Sequence, residues 1–104
     1  MTTVSNEAGT SKNVVGPVIQ AGEIADAVAA AVREDNPGKD VQVQDRGSYV
    51  RIEVDGECVI RRETLERELG RPFRMRELEV NMPAFAGRIE TATDHIRFYF
   101  DNPL

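Results

Sequence analysis

Residues 48–60 read SYVRIEVDGECVI, and this stretch decides the class of the fold because apolar and polar side chains alternate along it. Alternation with a period of two predicts a β-strand that buries one face. The buried face would carry Val50, Ile52 and Val54, and the outer face Tyr49, Arg51 and Glu53. The dipeptide Asp55-Gly56 is typical of a type I′ turn, so we predict a hairpin with residues 57–60 as the returning strand.

Helices and strands are interspersed on both sides of this stretch. The predicted elements are, in order, a strand at 14–19, a helix at 23–34, strands at 41–44, 48–54 and 57–60, helices at 62–69 and 74–80, and strands at 85–90 and 94–100. The last two strands form a second predicted hairpin, and Pro17 confines the first strand to an edge or a bulge. The order β-α-β-β-β-α-(α)-β-β predicts an α+β fold, a single compact domain of mainly antiparallel sheet with two or three helices. Residues 1–12 are polar and without periodicity, so we expect a flexible N-terminal tail before one domain at 13–104.

Composition and charge narrow the range of partners. The chain has 104 residues and a net charge of −5, from 13 basic and 18 acidic side chains. This charge disfavours nucleic acid and anionic membranes as partners. No basic segment followed by an apolar run opens the chain, and one Cys allows no intrachain disulfide. We expect a cytoplasmic protein that is a monomer when free.

The residue counts also exclude several kinds of site. One His and one Cys cannot hold an iron–sulfur cluster, a Cys/His zinc site or the paired Glu-x-x-His motifs of a diiron bundle. No nucleotide-binding or nucleophile-elbow motif occurs. We expect His95 to be a surface histidine beside Asp94 and Cys58 to act as a small hydrophobe. The sequence therefore predicts no catalytic residue, no metal site and no cofactor.

Two groups of residues are candidates for contact with another protein. Tyr49 and Arg51 are predicted to point outward from one strand and Tyr99 from another, and exposed Tyr and Arg are enriched at binding hot spots. The alternative is that helices cover that face and the tyrosines belong to the core. Residues 81–87 read NMPAFAG, are uncharged, and form either an apolar contact patch or a buried connection. The candidate partner-binding residues are Asn81, Met82, Pro83, Ala84, Phe85, Gly87, Tyr49, Arg51 and Tyr99.

Several segments, taken together in their order and spacing, resemble one protein family. They are residues 13–19 (NVVGPVI), 21–22 (AG), 35–39 (DNPGK), 45–46 (DR), 49–52 (YVRI), 65–66 (LE), 69–73 (LGRPF), 85–87 (FAG) and 96–100 (IRFYF). The pattern is similar to that of the effector (coupling or regulatory) proteins of soluble bacterial multicomponent diiron monooxygenases. It looks closest to the effector proteins of toluene and related aromatic monooxygenases.

The resemblance implies a non-catalytic, cofactor-free protein that binds the diiron hydroxylase of such a system. Binding would remodel the hydroxylase active site and couple the use of reductant to aromatic hydroxylation. The resemblance also places residues 81–87 near the entrance to that active site, although the methane monooxygenase regulator has small polar residues where this chain has Met-Pro-Ala-Phe. Two other functions stay open. A domain that senses a small molecule needs a pocket with converging polar groups, and a small carboxylate enzyme needs a cleft with a strongly perturbed acid.

Overall fold

The structure, a computed structural model, describes residues 13–100. This part of the chain forms two antiparallel sheets and three helices. The elements are β1 (Val14–Gln20), α1 (Glu23–Asp35), β2 (Val41–Asp45), β3 (Tyr49–Asp55), β4 (Glu57–Arg61), α2 (Arg62–Leu69), α3 (Met75–Val80), β5 (Ala84–Ala86), β6 (Arg88–Thr91) and β7 (His95–Tyr99). The α+β class and the antiparallel pairing are confirmed. The predicted tail at 1–12 lies outside the described residues.

Sheet A has the strand order β2-β3-β1-β5, and sheet B has the order β4-β7-β6. Of the two alternatives that Pro17 left open, a sheet edge or a bulge, the edge is wrong, because β1 pairs with β3 on one side and with β5 on the other. The ladder with β3 is instead interrupted at Gly16 and Pro17, where proline has no N–H to donate. A Cβ on Gly16 would lie 2.1 Å from the carbonyl oxygen of Ile52, so glycine is required where β1 passes this close to the backbone of β3.

The hairpin predicted at Asp55-Gly56 is also wrong, because β3 and β4 belong to different sheets. Gly56 has a φ of 80°, which glycine adopts readily, and it is the single residue between β3 and β4. Its N–H donates to the Asn13 carbonyl at 2.9 Å, and its own carbonyl accepts from the Phe100 N–H at 3.0 Å. The chain therefore bends at Gly56 and passes from the ladder with β1 into the ladder with β7, so the predicted turn does not form.

The strand predicted at 85–90 divides at Gly87 into β5 and β6, which lie in different sheets. Gly87 has a φ of 95°. A Cβ at this position would lie 2.6 Å from Val15 Cγ1 and 2.9 Å from the Tyr99 carbonyl oxygen. The chain can thus cross from sheet A to sheet B here only with glycine. The predicted final hairpin is confirmed for β6 and β7.

The core lies between the two sheets and α1. Ile52, which the alternation placed on the buried face, is fully buried, as are Phe98 and Cys58. The other fully buried large side chains include Ile19, Val28, Val32, Ile60, Leu65, Leu78 and Ile96. Among the described residues, no helix is long and apolar enough to cross a membrane.

Side chains from the end of α1 and the loop after it cover the free edge of β4. The Asn36 side chain donates to the Val59 carbonyl and accepts from the Val59 N–H, both at 2.9 Å. The Asp35 carboxylate accepts from the Arg61 N–H at 2.8 Å, and Lys39 Nζ donates to the Glu57 carbonyl at 3.2 Å. Asp35, Asn36 and Lys39, which we call the edge clasp, therefore satisfy backbone groups that a strand edge would otherwise leave open.

Candidate functional site

Residues 81–87, which we call the apolar segment, run from the end of α3 into β5. Asn81 fixes its first end, because the Asn81 carbonyl accepts from the Gln20 N–H at 2.9 Å. The Asn81 side chain donates to the Glu77 carbonyl at 2.8 Å and so closes the last turn of α3. Asn81 is half-buried, and its backbone N–H also donates within the protein, to the Leu78 carbonyl at 3.1 Å. The backbone of the segment is thus held by hydrogen bonds before any partner binds.

The side chains in the middle of the apolar segment are largely exposed. Pro83 and Ala84 face solvent, Phe85 keeps 42% of its surface exposed, and Met82 is half-buried against the core. Ala84 pairs with Val18 and Phe85 with Pro17, so consecutive side chains point to opposite faces of sheet A. The Phe85 ring lies 5.7 Å from the buried ring of Phe98, on the core side. The alternative of a buried connection is therefore wrong for Pro83 and Ala84.

Tyr49 and Arg51 lie on the face of sheet A that points away from the core. The core side of β3 carries Val50, Ile52 and Val54, as the alternation predicted. Tyr49 and Arg51 are half-buried, so they are neither core residues nor fully exposed. The strand register joins this face to the apolar segment, since Arg51 pairs with Val18, and Val18 pairs with Ala84. The sequence could not show this neighbourhood, because it depends on which strands pair.

Tyr99 lies on the outer face of sheet B, so it does not share a surface with Tyr49. The guanidinium of Arg97 lies 4.3 Å from the centre of the Tyr99 ring. Arg97 also donates to Glu57 at 2.5 Å and to Glu90 at 3.0 Å, and these hydrogen bonds raise the pKa of Arg97. Tyr99 is therefore stacked on an arginine whose charge is already compensated within the chain.

The side chains that could carry chemistry do not form a reactive centre. Burial raises the pKa of the Cys58 thiol to about 12, so the thiol stays protonated at neutral pH. His95 Nδ1 lies 2.9 Å from Asp94 Oδ1, and this hydrogen bond lowers the pKa of Asp94. Within residues 13–100, no three His, Cys, Asp or Glu side chains are grouped so that they could hold a metal ion.

One cleft beside His95 bears on the small-molecule alternative. It has a volume of about 510 Å³ and lies between α2, β4 and β7. Its lining consists mainly of charged side chains of both signs: Arg61, Arg62, Glu63, Glu66, Asp94 and Arg97. Small-molecule sites are mostly apolar with a few converging polar groups, and this cleft is of the opposite kind.

Comparisons with known proteins agree on one family. The model of the family described as MmoB/DmpM matches residues 13–99. The effector subunit of the alkene monooxygenase system of Xanthobacter autotrophicus strain Py2 is 47% identical over 89 residues, which are 86% of this chain and 88% of that protein. The stimulatory component DmpM of phenol 2-monooxygenase from Pseudomonas sp. strain CF600 is 32% identical over 75 residues, 72% of this chain and 81% of that protein.

The fold also matches solved structures. A chain in the structure of a phenol hydroxylase–regulatory protein complex superposes with a TM-score of 0.74 and 33% sequence identity. The match covers 85% of this chain and 99% of that one. The similarity therefore extends over the whole described domain and is not limited to one motif.

Proposed function

Because the chain belongs to the MmoB/DmpM family, we propose that it binds the hydroxylase of a multicomponent monooxygenase and regulates hydroxylation there. It is an effector subunit and not the catalytic component, as the names of its relatives state for them. The observation that carries this function is the family match over residues 13–99, which includes every helix and strand of the described domain. A match over all of these elements supports the assignment more strongly than a shared motif would.

The physical mechanism follows from the residue types in the sequence, which cannot hold a redox centre of the kinds considered above. A protein of this kind can change the output of an enzyme by binding one of its conformations more tightly than another. A differential affinity of about 1–3 kcal/mol changes the ratio of two conformations about 5- to 150-fold. We expect the effector to favour the hydroxylase conformation in which electrons from the reductant lead to product.

The apolar segment is our candidate for the part of the effector that rests on the hydroxylase. Its side chains at Met82, Pro83, Ala84 and Phe85 are uncharged, and three of the four are exposed. Its backbone is held at one end by Asn81 and toward the other by the pairing of β5 with β1. Ordering a flexible loop at an interface costs free energy, and a segment that is already held avoids most of that cost. Tyr49 and Arg51 extend this surface, whereas Tyr99 would need a second contact area on sheet B.

Substrate class and location complete the proposal. The sequence resemblance favours an aromatic substrate, and the names of the two relatives give an alkene and a phenol system. We assign the hydroxylase partner to an aromatic monooxygenase. We place the protein in the cytoplasm. Its single Cys allows no intrachain disulfide, which is usual for proteins of a reducing compartment.

Titration of the effector into a purified hydroxylase tests this function. The hydroxylase of the Xanthobacter autotrophicus alkene monooxygenase system serves as the first probe, with that system's own effector as the positive control, and propene, toluene and phenol as substrates. We expect this chain to raise the yield of product per NADH as it approaches saturation. If the control effector raises the yield and this chain neither binds nor changes it, the proposed function is wrong for this class of partner.

A further inference from the structure

Arg51 is a half-buried cation without a partner in the described part of its own chain. It lies in the middle of β3 on the outer face of sheet A, opposite the face that packs on the core. Within residues 13–100, its guanidinium makes no hydrogen bond, ion pair or ring contact. Glu53 is on the same face two positions along the strand, which is about 7 Å away at the rise of an extended chain, and the two are not paired.

Arg97, on the outer face of sheet B, is an arginine whose charge is compensated within the chain. Arg97 also lies mid-strand and half-buried, yet it bonds two carboxylates and stacks on a tyrosine. A partly desolvated charge loses hydration, and an ion pair or hydrogen bonds must replace it. Arg97 finds that replacement within the chain. Arg51 has no such hydrogen bond or ion pair within residues 13–100, so any group that replaces its hydration lies outside that part of the chain.

The register of sheet A defines what surrounds Arg51. Gln44, Arg51, Val18 and Ala84 form one row across the four strands. Val18, between Arg51 and Ala84, is apolar and keeps only 8% of its surface exposed. Because neighbouring strands are about 4.8 Å apart, Arg51 and Ala84 are separated by roughly 10 Å. The row therefore places Arg51 two strands away from Ala84 on the same face of sheet A.

We propose that Arg51 pairs with an Asp or Glu carboxylate of the hydroxylase, next to the hydroxylase atoms that contact Ala84. This inference rests on the proposed function and identifies the chemistry of the partner surface. A guanidinium binds a carboxylate through two parallel hydrogen bonds, which adds geometric specificity to the attraction. Truncating one member of such an interfacial pair leaves the other charge unpaired and weakens binding strongly. Arg51 thus sets the position of the apolar segment on the hydroxylase.

Charge variants at this position test the inference. Arg51→Gln removes the charge, and Arg51→Glu reverses it. Arg33→Gln and Arg33→Glu are the matched controls, because Arg33 is an exposed arginine on α1 without a partner in residues 13–100. Dissociation constants for the Xanthobacter autotrophicus hydroxylase are measured at low and at high salt, after circular dichroism confirms folding. We expect Arg51→Gln to weaken binding about 10- to 100-fold, with a reduced dependence on salt, and the Arg33 variants to change it less than about threefold.

A second measurement needs no variant. Phenylglyoxal labelling of the unaltered effector, mapped by mass spectrometry, should modify Arg51 in the free protein and much less in the complex, with Arg33 labelled equally in both. If Arg51 and Arg33 variants bind alike, or if Arg51 is labelled equally in both states, the inference is wrong while the proposed function stands. If the unaltered effector does not bind while the control effector does, the proposed function fails, and the inference fails with it.

Discussion

Gly87→Ala is the substitution whose cost can be worked out most directly from the structure. The new Cβ would lie 2.6 Å from Val15 Cγ1 and 2.9 Å from the Tyr99 carbonyl oxygen. The φ of 95° at this position adds about 1–2 kcal/mol for a residue with a side chain. Overpacking against a buried side chain adds about 1–3 kcal/mol. The free energy of unfolding should therefore fall by about 2–5 kcal/mol.

Gly47→Ala is the matched control for the dihedral angle. Gly47 has a φ of 87°, but a Cβ added there would meet nothing within 4 Å. The control should therefore lose only the conformational cost of about 1–2 kcal/mol. Urea denaturation followed by circular dichroism gives both values, with the slope of the transition as a check on two-state behaviour. Equal losses of unfolding free energy for the two variants would refute the conclusion that a Cβ at position 87 clashes with Val15 and Tyr99.

Three further predictions concern the core, the apolar segment and the thiol. Phe98→Ala should lower the free energy of unfolding by about 3–5 kcal/mol in urea denaturation and abolish activity by unfolding, whereas Tyr49→Ala should leave folding nearly intact. Equal losses of free energy for the two variants would mean that the inner and outer faces of the sheets are misassigned. At saturating effector, Ala84→Leu and Phe85→Ala should still change product per NADH or the regioisomer ratio; normal values for both would remove the segment from the mechanism. Because burial raises the pKa of Cys58 to about 12, the thiol should resist iodoacetamide at pH 8 and react only on unfolding. The free energy of unfolding should be unaffected by this thiol below about pH 9 and should decline as the pH rises toward 12, because the unfolded chain then loses the proton first. Rapid labelling of the native protein at pH 8 would contradict the burial of this thiol.

The sequence predicted local structure well because the relevant signals are local. The alternation in β3 assigned Val50 and Ile52 to the core face and Arg51 to the outer face, as the structure has them. Pairing between strands is a different matter, since it depends on hydrogen bonds between residues far apart in the chain. Asp55-Gly56 predicted a turn, but Gly56 bonds to Asn13 in one ladder and to Phe100 in the other, and the chain only bends there. No local pattern contains that information.

The candidate site divides in the same way. The uncharged composition of residues 81–87 marked the apolar segment, and the exposure of Pro83 and Ala84 agrees with a contact surface. Tyr49 and Tyr99 looked equivalent in sequence because both alternate with apolar residues. They differ because Glu57 and Glu90 bond to Arg97 beside Tyr99, whereas no side chain of residues 13–100 forms a hydrogen bond or ion pair with Arg51. Cross-strand neighbours thus decide which arginine is available.

The edge clasp has a consequence for how copies of this protein behave at high concentration. An uncovered strand edge is a template on which a second molecule can add a strand, and this is a common route to aggregation. A second copy could extend sheet B at β4 only after breaking the bonds from Asp35, Asn36 and Lys39 to the β4 backbone. Asn36 in particular occupies both the donor and the acceptor of Val59, as an adjoining strand would. The clasp therefore protects one sheet edge against strand addition, and it helps to keep the effector dispersed in a crowded solution.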